Sequence, residues 1–103
     1  MKIYNKLIRD NIPEIIKKNG QTAYISMLDD KGYTAELQKK LIEETQEYLD
    51  SEEPEELADI LEVVEALAST KGKTLDEILE IKKCKAIKNG KFEKRLFLEK
   101  VED

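Results

Sequence analysis

The sequence predicts a mainly α fold: an antiparallel four-helix bundle with a small two-stranded β element formed by residues 22–28 and 92–101. Three observations predict it. Apolar residues recur at helical spacing over four stretches. The breaks between them are short and carry helix-stop and helix-start residues, namely Asn19-Gly20, Pro54, Lys71-Gly72-Lys73 with Thr74, and Asn89-Gly90. Charged and hydrophobic residues each make up 40% of the 103 residues, which suits helices with one wet and one dry face. Short connections imply that neighbouring helices run antiparallel.

The first helix is expected from about Lys6 to Asn19, with Ile8, Ile12, Ile15 and Ile16 at helical spacing and Asn19-Gly20 as its stop. Pro13 marks either a kink or a new start capped by Asp10 or Asn11. Residues 22–28 have strand character, and Asp29-Asp30-Lys31-Gly32 reads as a turn. A second helix follows from Thr34, its cap, to Leu49. Pro54 suits the first turn of a third helix, which runs to about Ser69. Thr74 caps a fourth, with Glu77 completing a capping box, and this helix reaches about Lys88. Residues 92–101 alternate apolar and polar and are expected to pair with 22–28.

A chain of 103 residues is expected to be one domain with a modest core, which would gain from oligomerisation. The net charge of −5 argues against a nucleic-acid polymer as partner. With no histidine, His-based general base catalysis, the usual zinc sites and Ser-His triads are excluded. Cys84 is the only cysteine; it forms no internal disulfide and reads as a small buried hydrophobe. No apolar run is long enough to span a membrane, so no membrane partner is expected, and the expected location is the cytoplasm. The four glycines are scattered and form no phosphate-cradling loop.

The chemistry lies in two adjacent stretches, Glu43-Glu44-Thr45-Gln46-Glu47 and Glu56-Leu57-Ala58-Asp59. They read as E-E-x-x-E followed by E-x-x-D, with carboxylates three apart on one helix face. In so acidic a chain the spacing alone carries little weight, because two salt-laced solvent faces would look the same. The helical wheel separates the two cases. On the third helix Leu57, Ile60, Leu61, Val64, Leu67 and Ala68 form the apolar arc; Glu56 falls inside it and Asp59 at its border, whereas Glu62 and Glu65 lie opposite. On the second helix Leu37, Leu41 and Tyr48 line the apolar face, with Glu44 at its edge. Across a tight antiparallel hairpin, Glu44, Glu47, Glu56 and Asp59 are expected to converge on one spot. Carboxylates so placed need a cation, and oxygen-only ligands suit Mg²⁺, with Mn²⁺ as substitute. Glu43 reads as the most exposed of the three glutamates.

Basic residues thicken from Lys82 to Arg95. A helix C-cap accounts for Asn89, Gly90 and Phe92, whereas Lys91 and Arg95 suit phosphate. Near the N-terminus, Lys6, Arg9 and Asp10 lie together; Arg9 is either a surface residue or the partner of one of the acidic residues. Tyr4, Tyr24, Tyr33 and Tyr48 read as packing residues.

The two acidic motifs, followed by Asn89-Gly90-Lys91-Phe92-Glu93-Lys94-Arg95, together resemble the MazG-like all-α nucleotide pyrophosphohydrolases. The opening Tyr4-Asn5-Lys6-Leu7-Ile8-Arg9-Asp10-Asn11-Ile12-Pro13 is similar to a small stand-alone, phosphoribosyl-ATP pyrophosphohydrolase-like branch of that superfamily. The likeness spans essentially the whole chain. It departs from the family pattern in a short Glu47-to-Glu56 spacing and in Gly90, where the motif usually carries a longer residue. The resemblance implies a MazG-like bundle and Mg²⁺-dependent hydrolysis of a nucleoside triphosphate to the monophosphate and pyrophosphate. It implies Glu44, Glu47, Glu56 and Asp59 as metal ligands, and Glu43 or Glu47 as the group that takes a proton from water. Lys6, Arg9, Lys85, Asn89, Lys91 and Arg95 are then the substrate or phosphate contacts, and a homodimer or larger homo-oligomer is expected. The substrate is a non-canonical nucleotide or, alternatively, phosphoribosyl-ATP. A rival of a different class is a non-enzymatic, charge-rich helical interaction module.

Overall fold

Four helices make up all the regular structure in the computed structural model, which describes residues 1–103: α1 (Ile12–Lys18), α2 (Asp30–Ser51), α3 (Pro54–Thr70) and α4 (Leu75–Asn89). The fold is therefore mainly α. Residues 22–28 and 92–101 do not form the expected two-stranded element: neither has regular structure, residues 92–94 are a bend and turn, and no backbone hydrogen bond joins the two segments. An alternating pattern signals a face to be buried, but a lone two-stranded ribbon is marginal without a surface to cover it. Here Tyr24, Met27, Phe92 and Phe97 stay in solvent, and Arg95 at φ 61° bends the second segment.

The helix limits follow their caps. α1 begins at Ile12 rather than Lys6, because Pro13 cannot donate within a helix and is tolerated only in its first turn. Asn11 occupies the cap position, and Gly20 at φ 77° lets the chain leave the far end. α2 starts four residues before the expected Thr34. The Asp29 side chain accepts from the Gly32 amide at 2.8 Å, so Asp29 is a helix cap and the expected turn is the first helical turn. α4 starts as expected. Thr74 Oγ1 accepts from the Glu77 amide at 3.1 Å, and the Thr74 amide donates to the Glu77 carboxylate at 3.0 Å. Gly90, at φ 84°, stops that helix.

Two residues, Glu52 and Glu53, separate α2 from α3, so the two helices fold back as an antiparallel hairpin. Glu52 makes the reversal in the left-handed region, at φ 57°. α3 packs along α2, α4 meets only α3 over a short stretch, and α1 packs closely on no other helix. The four helices thus form an open arrangement rather than a closed bundle. It measures 62 × 32 × 24 Å. Only Leu37, Glu44, Val63 and Ala68 are buried. Leu57 and Leu61, assigned by the wheel to the apolar arc of α3, are 46% and 52% exposed. Cys84, expected to be buried, is exposed, because α4 has no second neighbour to cover it.

Candidate metal centre

Glu44 stands where packing normally places an apolar side chain. Leu37, Leu41, Glu44 and Tyr48 succeed one another along the stripe of α2 that faces α3; Leu37 is buried, and Leu41 and Tyr48 are half-buried. Glu44 itself is only 7% exposed. On α3, Glu56 and Asp59 are half-buried near the hairpin end, about two turns and one turn before the buried Val63. The helix spacing thus carries three carboxylates into the α2–α3 seam.

Carboxylate oxygens of Glu44, Glu56 and Asp59 lie within 4.8 Å of one another. Glu43, Glu44 and Glu47 form a second group of the same tightness. The four expected ligands therefore do not meet at one point; Glu44 is the corner shared by two triads. Glu47 is exposed, while Glu43, expected to be the most exposed glutamate, is half-buried. Its carboxylate lies 3.4 Å from both the Lys6 and the Lys40 ammonium groups, which draw it down onto the helix surface.

Three cations border the cluster. Lys40 Nζ is 3.4 Å from Glu44 Oε1, and Arg9 Nη2 donates to Asp59 Oδ1 at 2.7 Å, with its Nη1 3.8 Å from Glu62. Arg9 pairs with an acidic residue yet stays on the surface, so each of its two readings holds in part. Lys40 was not singled out in the sequence, although its position one turn before Glu44 is the signal that identifies it. At full ionisation Glu43, Glu44, Glu47, Glu56 and Asp59, set against Lys6, Arg9 and Lys40, leave two negative charges.

That excess falls on groups with nowhere to place it. Glu44 Oε2 and Glu56 Oε2 are both buried without a hydrogen-bond partner. Loss of hydration raises the Glu44 pKa above its ordinary value; the neighbouring Glu47 carboxyl raises it further and Lys40 offsets part of the effect. Loss of hydration also raises Glu56, followed by the negative charges of Asp59 and Glu44. An unpartnered carboxylate oxygen in a helix seam is costly. A divalent cation fits the site on three counts: the donors are all oxygens, the net charge is of the right sign and size, and opposite ligands on Mg²⁺ stand about 4 Å apart. Glu44, Glu56 and Asp59 would hold it, with Glu47 within reach of the Glu44 side.

The basic residues divide into two sets. Lys6 and Arg9 pair with the acidic cluster. Lys85, Lys91 and Arg95 pair with none of its carboxylates: Lys85 borders a hollow along α4 with Lys73 and Glu77, Lys91 borders another with Lys82 and Lys83, and Asn89 ends the helix. Comparison with protein-family models, with curated proteins and with solved structures found no match.

Proposed function

We propose that this protein is a Mg²⁺-dependent nucleotide pyrophosphohydrolase of the MazG-like kind, which hydrolyses a nucleoside triphosphate to the monophosphate and pyrophosphate. The observation that carries the reading is the pair of buried, unpartnered oxygens of Glu44 and Glu56 beside Asp59. The motif resemblance supplies the reaction. A bound Mg²⁺ would neutralise triphosphate charge and make a water more acidic. Glu47 is the better of the two proton acceptors in this reading, because Glu43 is held by two ammonium groups and Glu47 by none. Lys6 and Arg9 stand at the rim, where the phosphates of a nucleotide would lie. The test is pyrophosphate release, screened across canonical triphosphates, non-canonical triphosphates and phosphoribosyl-ATP. Glu44→Gln and Asp59→Asn are expected to abolish release with the helical spectrum intact. Unchanged turnover in both variants contradicts the assignment.

The proposed working unit contains at least two copies. The chain exposes 9803 Å², where a folded monomer of this mass exposes roughly 6,000 Å². A second copy would cover part of the difference, and it would also offer Lys85, Asn89, Lys91 and Arg95 a route to an acidic cluster they do not meet within one chain. The same open apolar surface favours one second reading, a helical interaction module without catalysis. That reading predicts no effect of divalent ions on melting.

A further inference from the structure

The first ten residues precede every helix, yet they reach across both helices of the hairpin. Asn5 adopts the left-handed region at φ 45°, a conformation Asn tolerates better than most residues, and bends the chain there. Leu7 and Ile8 within this segment are half-buried. Lys6 lies against Glu43 of α2, and Arg9 lies against Asp59 and Glu62 of α3. The Ile12 amide donates to the Arg9 carbonyl at 3.1 Å, so the start of α1 fixes the backbone from which the Arg9 side chain extends. Arg9 is thus delivered by a short strap, and its shortest contact, 2.7 Å, falls on one oxygen of a proposed cation ligand.

We propose that Arg9 is an exchange residue: it occupies Asp59 while the site holds no cation, and it transfers to a phosphate of the substrate when a divalent cation takes Asp59. This inference rests on the metal reading given above. Two positive groups cannot share the Asp59 carboxylate at close range without repelling one another, so the guanidinium and the cation compete for it. Arg9 loses less than a buried residue would by leaving, because its side chain is 56% exposed. A planar, five-donor guanidinium matches a phosphate as well as it matches a carboxylate. Displaced from Asp59, Arg9 remains tethered at the rim, where a triphosphate would arrive carrying negative charge. Cation and nucleotide then each favour the binding of the other, and the strap discourages the cation from binding alone. The device selects for a substrate that brings both.

The test is calorimetric titration of the full chain with Mg²⁺ alone, and then with inorganic pyrophosphate at saturating Mg²⁺. Arg9→Ala is expected to tighten Mg²⁺ binding by roughly 3- to 30-fold, since it removes one positive charge beside the ion. The same variant is expected to weaken pyrophosphate binding by about tenfold. Arg9→Lys keeps the charge and loses the fork, so it should bind Mg²⁺ like the wild type while binding pyrophosphate more weakly. Arg9→Gln keeps a hydrogen-bonding group on a shorter side chain without charge; it repeats the Mg²⁺ result if Arg9→Ala does not fold. Mg²⁺ affinity that is unchanged or weakened in Arg9→Ala and Arg9→Gln overturns the exchange, a weakened value making Arg9 a positioning residue for Asp59. No Mg²⁺ binding by the wild type or any variant overturns the metal reading itself.

Discussion

Glu44 shows how a single residue can trade stability for chemistry. Its position on the α2 stripe calls for an apolar side chain, and it carries a carboxylate with one oxygen unpartnered. Glu44→Gln is expected to stabilise the metal-free protein by about 1 kcal/mol or more in urea denaturation, because it removes charge that the seam does not solvate. The pH dependence has a defined sign. Glu44 and Glu56 both ionise above their ordinary 4.5 in the folded chain. Between 4.5 and their folded pKa values the native state binds more protons than the unfolded chain, so stability without divalent ions falls as pH rises through that window. Glu77 acts in the opposite direction. The Thr74 amide holds it below 4.5, and its contribution, present above 4.5, is lost as pH falls through its folded pKa. A denaturation midpoint series across acid pH, in chelator, reads both effects, and Glu44→Gln should flatten the loss on the rising side. The inward placement of Glu44, Glu56 and Asp59 was legible from the helical wheel. The exposure of Glu43 was not, because Lys6, 37 residues away in sequence, helps to pin it and no local pattern reports that.

At the scale of elements, local chemistry decided what could be foreseen. The capping box of α4 is written in Thr74 and Glu77, and Thr74→Ala is expected to cost roughly 0.5–2 kcal/mol, measured as a lowered urea midpoint at unchanged slope. The start of α3 at Pro54 was equally plain. The start of α2 was not, since Asp29 and Thr34 are both good caps and only the Gly32 amide, bonded to Asp29, distinguishes them. The β element failed for a different reason. Residues 92–101 carry the alternation of a strand, but strand pairing is a non-local event, and one chain offers these residues neither a partner nor a surface. Alternation records that a face is to be buried and leaves open what buries it.

The whole molecule is more open than its composition requires. Its radius of gyration is 18.2 Å, against about 13 Å for a compact domain of this length. The surplus of exposed area, roughly 3,800 Å² per chain, exceeds both the ~800 Å² per partner of an ordinary protein interface and the roughly 1,000–2,500 Å² per partner of obligate assemblies. Light scattering after gel filtration is therefore expected to give at least twice the mass of 11.9 kDa, and replacing both Leu57 and Leu61 by Glu is expected to reduce that mass. A monomer at micromolar concentration, with sharp cooperative melting, contradicts the assembly. No helix is long and apolar enough to cross a membrane. The central claim remains the cation seam, and thermal melting in Mg²⁺ against melting in chelator, at one protein concentration, tests it most directly. At a hundredfold excess over its dissociation constant, an ion that binds only the folded chain contributes about 2.7 kcal/mol, which for a domain of this size raises the melting temperature by roughly 10–20 °C. The account predicts that rise in the wild type and its loss in Asp59→Asn; identical melting of the wild type with and without Mg²⁺ contradicts it.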